Sequence, residues 1–168
     1  MIAATMMRLP VHFREKIMAH LDTVSSPNPS SPLASWKGDH VGIRVPDFDA
    51  AAAWYTTALD FRVVRRMQLG EKTLAFLAPA NDDSFHIEFI AGPGCEARPA
   101  YEQLIDTHAV GGWHHMCMRV ANVDDALVEL QRRAVNIVSP ARDAPGMGVR
   151  FAFFSDPWGN LIELCQHI

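Results

Sequence analysis

Two histidines and two glutamates form matched pairs: His40 lies 75 residues before His115, and Glu88 lies 75 residues before Glu163. Neutral imidazoles and carboxylates are the ligands that a borderline divalent cation takes, and a mixed N/O set of this kind leaves Ni, Co, Zn, Fe and Mn all open. Two carboxylates neutralise one divalent ion. An octahedral ion held by four side chains keeps two positions for water or substrate. Glu88 sits among Phe85, Ile87, Phe89 and Ile90, where an unpaired carboxylate would be costly and a cation would remove that cost. Singly, such residues mean little, because a lone strand histidine is commonly a hydrogen-bonded core residue and a lone glutamate is commonly solvated. The shared offset gives them weight together. His114 is the alternative to His115, but it falls on the opposite strand face, and the repeat selects His115. His86 reads as a core or rim residue or as a partner of Glu88. Trp54, Tyr55, Trp113 and Trp158 read as packing.

The elements that would position these groups also repeat. HVGIRV, residues 40–45, reads as a strand broken by Pro46 and Asp47. Asp49 is the expected N-cap of a helix over 50–59. Strands are expected over 61–67, 73–77 and 84–90, with a Leu-Gly-Glu-Lys turn and an Asn-Asp-Asp turn between them. The order then recurs: a strand over 114–120, a helix capped by Asp124 or Asp125 and running to about 134, and strands over 135–138, 148–155 and 161–166. Val45 maps to Val120, Asp49 to Asp124, Ala51 to Ala126 and Ile87 to Ile162 at the same offset. The expected fold is therefore α+β: two tandem βαβββ modules whose curved, mostly antiparallel sheets make a barrel-like cleft. Strand alternation puts Arg44 on the face of His40 and Arg119 on the face of His115.

The expected division is an arm and Ser/Pro-rich linker over 1–38, modules over 39–95 and 113–168, and a connector over 96–112 with a short helix near 100–105. Residues 11–21 carry an incomplete amphipathic stripe, and TVSSPNPSSPLAS resists regular structure. The net charge of −4, without a basic stretch, argues against nucleic acid. No run of about 18 apolar residues points to a membrane span. Cys95, Cys117 and Cys165 make neither a CxxC pair nor a disulfide framework, and the expected location is cytoplasmic.

HVGIRVPDFDAAAAWYTTALDF, residues 40–61, resembles the opening of the vicinal-oxygen-chelate superfamily, and DPWGNLIEL, residues 156–164, resembles its closing motif. The resemblance covers about residues 39–168. It implies paired βαβββ modules around one divalent metal, often in a homodimer, with a small-molecule substrate. The set His40, Glu88, His115 and Glu163 is most similar to that of glyoxalase I-like members. Extradiol dioxygenases use positions corresponding to His40, His115 and Glu163, epimerases of the superfamily usually place Gln at Glu88, and sequestering resistance proteins lack the ligands. Arg44 matches an arginine that binds the glutathione carboxylate, whereas Ile90 and Gly92 replace the family's Thr and Asn. The resemblance thus implies a glyoxalase-like lyase or isomerase that moves a proton beside a metal-chelated carbonyl. Glu163 and Glu88 would be the proton-transfer groups, and Arg44 and Arg119 the substrate contacts. An Fe(II) dioxygenase and a non-catalytic binding protein are the alternatives.

Overall fold

Helix and strand starts follow from local chemistry at matched points of the two halves. In the computed structural model, which describes residues 26–168, the Asp47 side chain accepts from the Ala50 backbone N–H and opens helix α1 (Phe48–Ala58). The Asn122 side chain accepts from the N–H groups of Asp124 and Asp125 and opens helix α2 (Val123–Arg132). These caps lie two residues before the expected Asp49 and Asp124. The carboxylates expected to cap lie instead in the first turn, where the positive end of the helix dipole favours them. Phe48, Ala51, Tyr55 and Ala58 on α1, and Val123, Leu127 and Leu130 on α2, recur every three or four residues and form the buried stripes.

The strands are β1 (His40–Val45), β2 (Arg62–Leu69), β3 (Lys72–Ala78) and β4 (His86–Ala91), then β5 (His115–Arg119), β6 (Asn136–Ala144), β7 (Val149–Ser155) and β8 (Leu161–His167). They build two four-stranded sheets, ordered β1-β4-β3-β2 and β5-β8-β7-β6. In each, the first and last strands of the module run parallel and the other pairings are antiparallel. These are the two βαβββ modules. Most elements keep the offset of 75, but β7 begins 77 residues after β3. The Gly70-Glu71 turn becomes the longer Pro145–Gly148 connection, and a shorter β7–β8 loop restores the register.

Strand β6 is much longer than expected. Pro140, which cannot donate to a ladder, is accommodated because β6 is an edge strand with irregular pairing around Ser139. The connector holds a 3-10 helix over Leu104–Ala109. Alternation decides which sheet face is buried. In β4, Ile87, Phe89 and Ala91 are buried, and His86, Glu88 and Ile90 on the opposite face are half-buried. One apolar core includes residues of both modules, from Val45, Tyr55 and Phe89 to Leu127, Phe154 and Ile162. Burying each such side chain contributes roughly 1.5–3 kcal/mol.

The chain divides into units at Lys37 and Gly38. Within residues 26–37, turns rather than regular elements satisfy the backbone, as in the bond from Ser31 N–H to the Asn28 carbonyl. The expected helix over 11–21 lies outside the described residues. Among the described residues, no helix is long and apolar enough to cross a membrane.

Candidate metal centre

Each module brings one imidazole to one carboxylate on the sheet face that points away from its helix. His40 Nε2 lies 3.6 Å from Glu88 Oε2, and His115 Nε2 lies 2.9 Å from Glu163 Oε2. Strand pairing fixes these distances. Gly42 stands beside Glu88 on the parallel neighbour, and Cys117 stands beside Glu163. A separation of 3.6 Å is too long for a good hydrogen bond. Two atoms each about 2.1 Å from one ion lie about 3.0 Å apart at a right angle and about 3.6 Å apart at 120°. Both spacings fit two ligands on one cation, and that of His115 and Glu163 equally fits a direct hydrogen bond.

The ring orientations are held in the same sense. His40 Nδ1 is 2.7 Å from the Asp39 carboxylate, and His115 Nδ1 is 2.8 Å from His114 Nδ1. Each ring thus turns Nε2 toward its glutamate. Phe76, opposite Glu88, packs edge-on against His40 with centroids 5.2 Å apart; Phe153, opposite Glu163, does the same to His115 at 5.1 Å. These two phenylalanines escape a reading at offset 75 because they sit in the strands displaced to 77. His114 is a partner of His115, with its other nitrogen on Thr107. Burial, reinforced by the neighbouring His115 and His108 rings, holds its pKa below the ordinary value. His86 lies edge-on to Phe76, and among the described residues no hydrogen bond joins it to Glu88. Partial burial and the Glu163 carboxylate push the Cys117 thiol up to about 12, so it remains a neutral neighbour.

His40 and His115 line one cavity of about 1090 Å³. Its walls include β1, the start of β5, residues 95–101 of the connector, Trp113, and the turn from Asp156 to Asn160. The two His–Glu pairs remain separate. Among the described residues, no group of three or more His, Cys, Asp or Glu side chains gathers around one point. Arg44 lines the cavity, but its guanidinium donates to the carbonyls of Ile90, Gly92 and Pro93 and so pins β1 to the end of β4. Arg119 borders a separate cavity of about 310 Å³. Trp113, expected to be packed, is 89% exposed at the cavity edge.

The turn before β8 is organised by Asp156, which is 3% exposed. Its carboxylate accepts from the backbone N–H groups of Trp158 and Asn160, the Asn160 amide and the Tyr55 hydroxyl. Burial raises its pKa despite these donors. Tyr55 belongs to α1, so this bond fastens the first module to the turn that delivers Glu163.

A sequence model of the Glyoxalase/Bleomycin resistance protein/Dioxygenase superfamily matches residues 37–164. The chain is 28% identical over 161 residues to a mitochondrial methylmalonyl-CoA epimerase of Homo sapiens, covering 90% of each chain. It is 32% identical over 133 residues to an ethylmalonyl-CoA/methylmalonyl-CoA epimerase of Cereibacter sphaeroides, covering 76% of this chain and 96% of that protein. A glyoxalase family protein of Enterococcus faecalis shares the fold, with a TM-score of 0.63 and 24% identity over 77% of this chain and 96% of that one. With its duplicated sheets, paired helices and matching family sequence, the chain belongs to the Glyoxalase/Bleomycin resistance protein/Dioxygenase superfamily.

Proposed function

We propose that the chain is a divalent-metal-dependent isomerase that inverts the carbon next to a thioester carbonyl, with an acyl-CoA of the methylmalonyl class as substrate. The observation that carries this reading is the presence of one carboxylate in each module, each set against its own imidazole. Inversion needs one group to remove a proton from one face of the carbon and another to return a proton to the opposite face. Glyoxalase-like transfer between neighbouring carbons can be served by a single base. The epimerase names of the two curated relatives support the acyl-CoA assignment. The open cavity of about 1090 Å³ suits a bulkier ligand than a two- or three-carbon aldehyde adduct.

His40, Glu88, His115 and Glu163 would hold the ion, which supplies Lewis-acid polarisation of the substrate carbonyl. The shared cavity of the two histidines favours a site within one chain. Glu163 takes the proton as the C–H bond breaks and the electron pair moves toward the carbonyl oxygen. Glu88, once it carries a proton and no longer serves as an anionic ligand, would return that proton to the other face. Exchange of both carboxyls with water restores the starting state. Phe76 and Phe153 back the rings and limit water around the carboxylates.

The test is a Co(II)-loaded preparation given one epimer of methylmalonyl-CoA in D2O. Loss of the α-proton signal by NMR, together with inversion, is expected. Absence of exchange, coupled with turnover of a thiol–methylglyoxal hemithioacetal, would return the assignment to glyoxalase chemistry. Oxygen uptake with a catechol would assign a dioxygenase.

A further inference from the structure

Asp39 and His114 precede the two histidines and occupy matching positions, 75 residues apart. They are different residues with the same placement. Each lies against the Nδ1 atom of the ring that follows it, at 2.7 Å in the first module and 2.8 Å in the second. We propose that Asp39 and the His114–Thr107 pair are positioning residues, which hold the Nδ1 proton of His40 and His115 so that each Nε2 presents a lone pair to the ion. The inference rests on the metal-dependent reading above and extends it to residues that act through the two ligand histidines rather than on the ion.

The direction of each bond follows from donor inventory. An ionised carboxylate only accepts, so Asp39 takes a proton from His40 Nδ1. In the second module the orienter is itself a histidine, and its tautomer must be set. Thr107 does this. Its hydroxyl, within the 3-10 helix, lies 2.6 Å from the Leu104 carbonyl and 2.7 Å from His114 Nε2. A carbonyl oxygen has no proton to give, so the single hydroxyl proton points to Leu104. Thr107 must then accept from His114 Nε2–H. Neutral His114 is left with a lone pair on Nδ1, and that atom accepts from His115 Nδ1–H. The relay therefore runs from His115 through His114 and Thr107 to Leu104, and His115 Nε2 is left facing Glu163 across 2.9 Å, with room for a proton or an ion. Fixing a ligand histidine through its second nitrogen sets ring orientation and raises ligand basicity. The connector, through Thr107, thereby acts on the metal site from outside both modules.

Calorimetric titration of Co(II) into the metal-stripped full chain tests this. Asp39→Ala and His114→Ala are expected to weaken affinity about 10- to 100-fold, the usual effect of removing such a partner. Thr107→Val is expected to weaken it by a smaller factor, and Thr107→Ser to restore it. Nitrogen-15 NMR of the Zn(II)-loaded chain should show the proton on Nδ1 of His40 and His115 and on Nε2 of His114. Thr107→Val lies outside the strands and reads the same relay should His114→Ala unfold. Wild-type affinity in Asp39→Ala and Thr107→Val, or metal on Nδ1 of His115, would overturn the inference and leave the functional reading standing. A wild-type chain that takes up no Co(II) would overturn both.

Discussion

Replacing Tyr55 by Phe removes one oxygen from the core and tests the link between the modules. Tyr55 is fully buried, and its ring packs on Phe89 and Phe61, contacts that Phe retains. What is lost is a 2.9 Å hydrogen bond to a carboxylate that is itself almost fully buried. A bond to a charged group of this kind contributes about 1.5–3 kcal/mol. For a chain of this size each kcal/mol moves the Tm by roughly 2–4 °C, so a fall of about 3–12 °C at pH 7 is expected. The pH dependence has a definite sign. Asp156 has a raised pKa in the fold, so the folded state holds its proton to higher pH than the unfolded state does. Its contribution to stability is present below the unfolded value, near 3.9, and is lost as pH rises through the folded value. Without the Tyr55 hydroxyl the folded pKa rises further, so the deficit of the variant is larger at neutral pH and shrinks on acidification. Urea unfolding of both proteins at pH 7 and pH 4 reads this directly. A Tm within 1 °C of wild type at pH 7, or a deficit that grows toward acid, would refute the reasoning.

Other perturbations address the site and its frame. Glu163→Gln is expected to keep the fold and to lose roughly 10²–10⁴-fold in α-deuterium exchange, measured by NMR; near-normal exchange would remove Glu163 as the base. Mixing His40→Ala with His115→Ala chains should restore nothing if the site is built within one chain. Recovery of roughly a quarter of wild-type activity, one intact site in each mixed dimer, would place the ligands on two chains. Gly92→Ala should destabilise by about 1–3 kcal/mol in urea titration. Gly92 has φ +126°, and a Cβ there would meet the Glu71 carbonyl oxygen at 2.9 Å.

The two His–Glu pairs were legible because β1, α1 and β4 keep one offset, so a single register aligned the chemistry with the frame. Legibility failed where the register changed. Phe76 and Phe153 stand behind the two histidines at matched places, yet a two-residue change in turn length hides the match. The caps failed differently: Asp47 and Asn122 do share the offset, but neighbouring aspartates offered equally good side chains, and only backbone direction chooses. The length of β6 was masked by Pro140, which forbids a ladder bond but not an edge strand. The roles of Thr107 and Tyr55 depend on contacts between elements and leave no periodic trace. Nor does periodicity encode how far apart the two His–Glu pairs stand, which is set by packing between the modules. The ligand comparison in the sequence leans toward glyoxalase I, whereas the two relatives named above carry epimerase names. A Glu at position 88 in place of Gln leaves an oxygen donor for the ion and adds a group that can hold a proton, so the substitution is compatible with inversion chemistry.

X-ray absorption of the Co(II)-loaded chain tests the central claim most directly. The account predicts one ion per chain in a shell of N and O atoms near 2.1 Å, with two imidazoles in the wild type and one in either His40→Ala or His115→Ala. Less than about a tenth of an ion bound per chain, or two imidazoles persisting in both variants, would contradict it.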